Sequence, residues 1–385
     1  SQYPTALMRM MIPVGISNWV TKYDVKAFGF YNITNIVWED GAKKFKPVAN
    51  KLDTGVLDWA GSSHKDLFVD GYMIKYLQEH CGLKSFNVKC GLVSAEEMCG
   101  SELFDTYVKT LYDEKANQDI LKDSKNIDYN QPYREAIKLL LNSLTGKLVE
   151  DPSRYFKLKF NSADKKAQTI NGISISKTNT DEDSINPWVV AGVMVYSYSK
   201  RILWDYVNCL PNKADDVTHI ETDGLYFSLP LRTEFLKNVE KLDSKLVRVG
   251  NDLGNVECEV VCSDESFFIG KKDYMIGLAI KNDDGTINYD KSKIRNKGIP
   301  KRTINIEGSN IDLLDEQFYI DRYNGKAVTK TFSTINKTLY DTAKIQGISL
   351  SSYFMTRTST PHNFKNFKVY SEQNGKVLVN DWEKR

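Results

Sequence analysis

An α+β fold with antiparallel sheets is what this sequence predicts, and three observations carry the expectation. Apolar residues recur at helical spacing in two neighbouring stretches, first Leu103, Tyr107, Val108 and Leu111, then Ile137, Leu140, Leu141, Leu144 and Leu148. Short β-type runs separated by turn residues (Glu39-Asp40-Gly41, Asp53-Thr54-Gly55) fill Lys26 to Asp70. His219 to Leu229 reads as a tight hairpin with Asp223-Gly224 at its turn.

Length and composition frame the rest. The 385 residues can bury a large core and suggest two or three domains. No run of 18 apolar residues occurs, so no spanning helix and no membrane partner are expected. Ser1 to Pro13 is too short and too broken by Pro4, Arg9 and Pro13 for a signal peptide. Six cysteines, none in a C-x-x-C pair, read as reduced thiols of an intracellular protein, its compartment (cytoplasm, nucleus or mitochondrion) left open. Net charge is only +2, so any affinity for nucleic acid must come from local patches.

In chain order, Ser1 to Val20 is apolar and strand-like at its start. A helix over Ser101 to Lys122 is broken by Asp123-Ser124-Lys125-Asn126. Asn130-Gln131-Pro132 opens a second helix to about Leu148, with proline where a missing N–H is harmless. Glu150 to Asp183 is polar, with two β-like runs. Asn186-Pro187 opens a long helix to about Leu210, stopped by Pro211, and strands then alternate to Ile280. The tail from Asp290 is basic, then mixed helix and strand.

The second helix carries the chemistry. Arg134, Lys138 and Asn142 fall at i, i+4 and i+8 and share one face, as a helix gripping a polyanion such as a triphosphate would need. An ordinary solvated basic face would look the same. The wording Lys138-Leu-Leu-Leu-Asn142-Ser143-Leu-Thr-Gly146-Lys147 resembles the second polymerase motif of family B DNA polymerases, K-x-x-x-N-S-x-Y-G. Ser1-Gln2-Tyr3-Pro4 resembles the end of the first motif, D-x-x-S-L-Y-P, and His219-Ile-Glu221-Thr-Asp223 resembles the third, D-T-D on a hairpin. Lys272-Asp273-Tyr274 matches K-x-Y. More than a hundred residues separate the first two motifs, as in the protein-primed members of phages, adenoviruses and linear plasmids, and Phe104 to Thr110 resembles their first fingers helix.

That resemblance implies a right-hand polymerase with an antiparallel palm (1–25 and 187–283), helical fingers (101–148), a small thumb (284–385) and two insertions (26–100 and 149–186) that hold a priming, or terminal, protein. It implies two Mg2+ ions, with Mn2+ as a substitute, and Asp223 as a bridging ligand. Glu221 stands where the family has an aspartate less directly involved with metal and would reach through water. Lys109, Arg134 and Lys138 would neutralise the dNTP triphosphate and Asn142 would orient it. Ser1, Gln2 and Tyr3 would line the nucleotide, with Tyr3 under the sugar excluding a 2′-hydroxyl. Thr145 replaces an aromatic beside the nascent base pair, and Gly146 would let DNA approach. From Lys271 to Arg302 nine Lys/Arg face four Asp, a balance of +5 (9 − 4). Lys271, Lys272, Tyr274, Lys297, Lys301 and Arg302 are the candidates for contact with primer-template DNA. The first motif's aspartate would lie three residues before Ser1, and an exonuclease segment or subunit would precede it. The competing reading is a DNA-binding subunit, inactive without a partner segment that carries that aspartate.

Overall fold

The computed structural model describes residues 2–40, 45–51, 57–59, 66–150, 156–161, 163, 168–170, 173–179, 188–242, 249–250, 254–258, 262–270, 272–281, 287–296, 298–300, 302–304, 311–324, 326–335, 352–359, 367–373 and 376–383. The chain forms two compact units. The first comprises Ser1–Pro152, Glu182–Ala214 and Thr233–Val256, and the second Ser153–Asp181, Asp215–Arg232 and Glu257–Arg385. Helices and antiparallel sheets make up both, as the sequence predicts.

The first unit opens with α1 (Gln2–Arg9), not the expected strand. Pro4 falls in the first turn, where helix N–H groups have no partner anyway, and Ala6 and Leu7 are fully buried. Strands β1 (Met11–Val20), β2 (Phe28–Trp38), β3 (Asn50–Lys51), β4 (Leu57–Asp58) and β5 (Asp66–Asp70) follow. Helix α2 (Gly71–His80) and strand β6 (Leu83–Cys99) complete this region. The main sheet has the order β1-β6-β2-β5. Asp70 caps α2, its carboxylate accepting from Met73 N at 3.0 Å, and also accepts from Ser197 Oγ. Met73, Ile74, Tyr76 and Leu77 then bury one side of α2. Five cysteines described here are free thiols, consistent with the absence of C-x-x-C pairs.

Helices α3 (Ser101–Asp123) and α4 (Gln131–Leu148) arrive where helical spacing places them. Asn130 caps α4 by accepting from Tyr133 N at 3.0 Å. The buried row of α4 is Ile137, Leu141, Thr145 and Leu148, and Leu140 stands 48% exposed at its edge, outside the expected stripe. Four-residue steps from Ile137 carry Thr145 into the core, where it is 1% exposed and its Oγ1 has no hydrogen-bond partner among the described residues. Thr145 is therefore a core residue and not the exposed one that a place beside a base pair requires.

In the second unit, β7 (Phe156–Phe160), β8 (Gln168–Ile170) and β9 (Ile173–Asn179) form a three-stranded sheet. The long helix α5 (Val189–Asn208) returns the chain to the first unit and is buried on most of its circumference. Gly192 makes this possible: a Cβ there would meet Val149 Cγ1 at 2.3 Å and Leu148 Cβ at 3.1 Å.

Strands β10 (Val217–Glu221) and β11 (Gly224–Phe227) form the expected hairpin one residue out of register. Glu221 pairs with Gly224, so the turn is Thr222-Asp223, and Thr222 takes the left-handed conformation at φ 56°. Helix α6 (Arg232–Lys241) then interrupts the expected succession of strands. Two apolar residues one turn apart, Phe235 and Val239, are enough to seat it and too few to announce it.

Three further strands, β12 (Cys262–Gly270), β13 (Asp273–Lys281) and β14 (Ile287–Arg295), form an antiparallel sheet. The short strands β15 (Arg302–Ile304) and β16 (Ile311–Leu313) precede helix α7 (Glu316–Tyr323). Strands β17 (Val328–Ile335), β18 (Ser352–Ser359), β19 (Phe367–Gln373) and β20 (Lys376–Glu383) end the unit. Met275, Ile294, Ile299, Leu314, Phe318, Tyr319 and Phe332 form its core. Beside them Arg322, 1% exposed, grips Asp273 with two bonds of 2.7 and 2.6 Å, and Asn296 Nδ2 donates to the same carboxylate at 2.8 Å.

Two stability measurements check this packing. Asp273→Asn leaves a guanidinium buried without its counter-charge and should cost about 3–5 kcal/mol, whereas D273L/R322M should recover most of the loss. Urea midpoints of the three proteins decide it, and a D273N midpoint equal to the parent's would mean the pair is solvated. Thr145→Val removes an unpartnered hydroxyl and keeps the shape, so it should stabilise or leave stability unchanged, within about 1 kcal/mol. Thr145→Tyr should overpack and destabilise by about 1–3 kcal/mol on the same measurement.

Candidate functional site

Helices α3 and α4 form a pair tied along its length. Tyr107 Oη donates to the Leu140 carbonyl at 2.8 Å, Asn130 N donates to Gln118 Oε1 at 2.9 Å, and Tyr133 Oη lies 3.4 Å from Glu114. The strongest tie is ionic. Arg134 Nε donates to Asp119 Oδ1 at 2.5 Å, and Lys115 reaches the other oxygen at 2.6 Å. The bond to Asp119 raises the Arg134 pKa above its ordinary value while burial works against it. Burial alone would raise Asp119, but the bonds from Lys115 and Arg134 outweigh it and hold the carboxyl below its usual range. Arg134 is thus engaged inside the helix pair, although it sits on the row that spacing assigns to the polyanion. Asp119 gives no local signal of this: it lies 15 residues away, on the facing helix.

What α4 presents outward is Lys138, Asn142 and Gly146, three exposed residues at four-residue steps. Among the described residues the Lys138 ammonium has no ion-pair partner. A Cβ built on Gly146 would meet nothing within 4 Å. Lys109 of α3 is exposed but pairs with Asp105 at 2.8 Å, one turn back. Tyr3 packs edge-on against Tyr196 of α5, ring centroids 5.5 Å apart. Ser1 and the Gln2 side chain lie outside the described residues.

The second unit holds the acidic candidates. Asp223 is exposed at the β10–β11 turn, while Glu221 keeps only 13% of its side chain exposed. Glu221 Oε2 accepts the backbone N–H of Lys272 at 2.6 Å and lies 3.8 Å from His219 Nε2, and Oε1 accepts from Thr222 Oγ1 at 3.3 Å. Burial lowers the His219 pKa, and the nearby Glu221 charge opposes that shift. His219 belongs to an aromatic cluster with Tyr226, Phe268 and Tyr274.

Lys272 occupies the turn between β12 and β13 at φ 56°, is exposed, and its ammonium has no ion-pair partner among the described residues. Tyr274 is 5% exposed inside the aromatic cluster, packed against Phe268 of β12 and His219 of β10, not on the surface where contact with DNA is expected. Lys271, Lys297 and Lys301 lie outside the described residues, as does the Arg302 side chain.

The donors suit a hard divalent cation in kind, since Asp223 and Glu221 offer carboxylate oxygen. In number they fall short: among the described residues no group of three His, Cys, Asp or Glu side chains could hold a metal ion. Nor is any described helix long and apolar enough to cross a membrane.

No curated protein matches the chain by sequence. Solved structures of Phi29 DNA polymerase share its fold. The orthorhombic crystal form superposes with a TM-score of 0.54 at 14% identity, covering 99% of this chain and 56% of that one. The post-translocation binary complex with primer-template DNA gives 0.56 at 15%, covering 99% and 55%. The ternary complex with primer-template DNA and incoming nucleotide substrates gives 0.54 at 13%, covering 93% and 56%. The chain therefore spans little more than half the length of those polymerases. Its first 189 residues match the family described as DNA polymerase type B, organellar and viral. That match takes in the helix with Lys138 and Asn142 and spans just under half of this chain.

Proposed function

We propose that the chain is the polymerising part of a template-directed DNA polymerase that transfers nucleotides from dNTPs to a primer 3′-hydroxyl and initiates on a protein primer. The observation that carries this reading is the outward row of α4, with Lys138 exposed and without an ionic partner among the described residues, inside the segment that matches the family. In this reading 1–25 and 187–283 are palm, 101–148 fingers and 284–385 thumb. The segments 26–100 and 149–186 receive the terminal protein, and an exonuclease segment or subunit accompanies the whole.

Each residue has a distinct task. Lys138 neutralises the triphosphate and gains as charge accumulates on the departing pyrophosphate, so it favours the transition state over the bound nucleotide. Asn142 orients the phosphates, and Gly146, with open space before it, admits the duplex edge. Lys109 joins them once it leaves Asp105, an exchange that costs little at an exposed pair. Arg134 holds α4 against α3. Tyr3 bounds the sugar. Lys272 meets a primer phosphate. Asp223 would contribute a carboxylate to two divalent ions, which when bound activate the primer hydroxyl and hold the leaving phosphates. The shortage of carboxylates among the described residues favours a second reading, a DNA-binding subunit completed by a partner segment.

Two substitutions test the assignment. Asp223→Asn should abolish primer extension, by at least about a thousandfold, while primer-template affinity stays within about threefold; extension near the parent's rate would remove Asp223 from the site. Lys138→Ala should raise the dNTP KM and lower kcat in steady-state assays, with the salt dependence of DNA binding unchanged. A changed salt slope with unaltered nucleotide kinetics would put Lys138 on DNA instead.

A further inference from the structure

The carboxylate of Glu221 stands in a motif expected to serve metal, yet its oxygens are already occupied. Oε2 takes the Lys272 amide at 2.6 Å and lies 3.8 Å from the His219 ring nitrogen, and Oε1 takes Thr222 Oγ1 at 3.3 Å. The bond to Lys272 is charge-assisted and short, which favours a fixed geometry, although it lies at an exposed turn. Its donor sits at a strained point, because Lys272 is a non-glycine residue at φ 56° and stays there only if its surroundings hold it.

The next residue is held from the other side. Asp273 is gripped by Arg322 of α7 with two bonds and by Asn296 with a third. Tyr274 is then fixed among His219, Phe268 and β14, where its backbone pairs with Arg295. Every residue of Lys272-Asp273-Tyr274 is therefore anchored through backbone or side chain, and among the described residues of the turn the group left extending is the Lys272 ammonium.

We propose that Glu221 is a positioning residue rather than a metal ligand: with the Asp273–Arg322 pair it clamps the β12–β13 turn and so aims the Lys272 ammonium at a phosphate of the primer strand. This rests on the polymerase reading above, and it goes further by removing Glu221 from the metal site and giving it an effect on DNA binding that needs no cation. A glutamate suits this task because its extra methylene lets a carboxylate on β10 span to the amide of the neighbouring turn.

The test uses the full-length protein and primer-template DNA, with dissociation constants measured without divalent cation. Glu221→Ala should weaken binding about fivefold to tenfold, and Glu221→Gln, which keeps an acceptor oxygen, should retain most of the affinity. Lys272→Gly keeps the amide and the left-handed backbone but removes the ammonium. On that background Glu221→Ala should change affinity by less than twofold, since nothing remains to be aimed. In extension assays the Mg2+ concentration for half-maximal rate should be the same for Glu221→Gln and the parent.

Unchanged metal-free binding in Glu221→Ala together with a raised Mg2+ requirement would make Glu221 a metal ligand and overturn the proposal. Equal losses from Glu221→Ala in the parent and in the Lys272→Gly variant would overturn it too, by showing a general structural role. A parent that does not bind primer-template at all would refute the polymerase reading itself, which keeps the two failures apart.

Discussion

A charge withdrawn from water must meet an opposite charge or a set of hydrogen bonds, and that constraint sorts the functional candidates of this chain. Asp273 enters the interior only because Arg322 and Asn296 enter with it. Arg134 reaches across to Asp119 of α3, which Lys115 also pairs. Glu221 is spent on an amide. Each pairing removes one ionic group from the pool that a ligand can use. Lys138 and Lys272 remain exposed, their ammonium groups without an ionic partner among the described residues.

The same pairings explain what was legible in the sequence. Helices α3 and α4 were readable because their apolar residues repeat over several turns, and the hairpin was readable because Asp-Gly marks it. Helix α1 was not, since eight residues with a proline look like a strand until packing against α3, α4 and α5 buries Ala6 and Leu7. The turn register slipped by one because Thr222, not Gly224, adopts the left-handed backbone.

Of the helix row Arg134, Lys138 and Asn142 that spacing predicts, Lys138 and Asn142 are exposed while Arg134 is drawn into the helix pair. Pairings with a partner far along the chain were not legible. Nothing near Arg134 announces Asp119, and nothing near Asp273 announces Arg322, 49 residues on. Thr145 and Tyr274 show the limit of motif reading from the other side. A motif gives the order of residues, while packing decides which of them turn inward, and both turn inward here.

Gly192 gives the outward row of α4 a mechanical property. The close approach it allows fixes α4 at its C-terminal end, against Leu148 and Val149. Lys138 stands ten residues up the helix from Leu148, about 15 Å along the axis. Contact at Gly192 therefore acts as the fulcrum of a lever, and a tilt of about 5° there sweeps the lysine through about 1 Å, a displacement of the size that can reduce a reaction rate about a hundredfold. A single methyl group at Gly192 would thus act at a distance, through the angle of the helix rather than through any contact with a ligand.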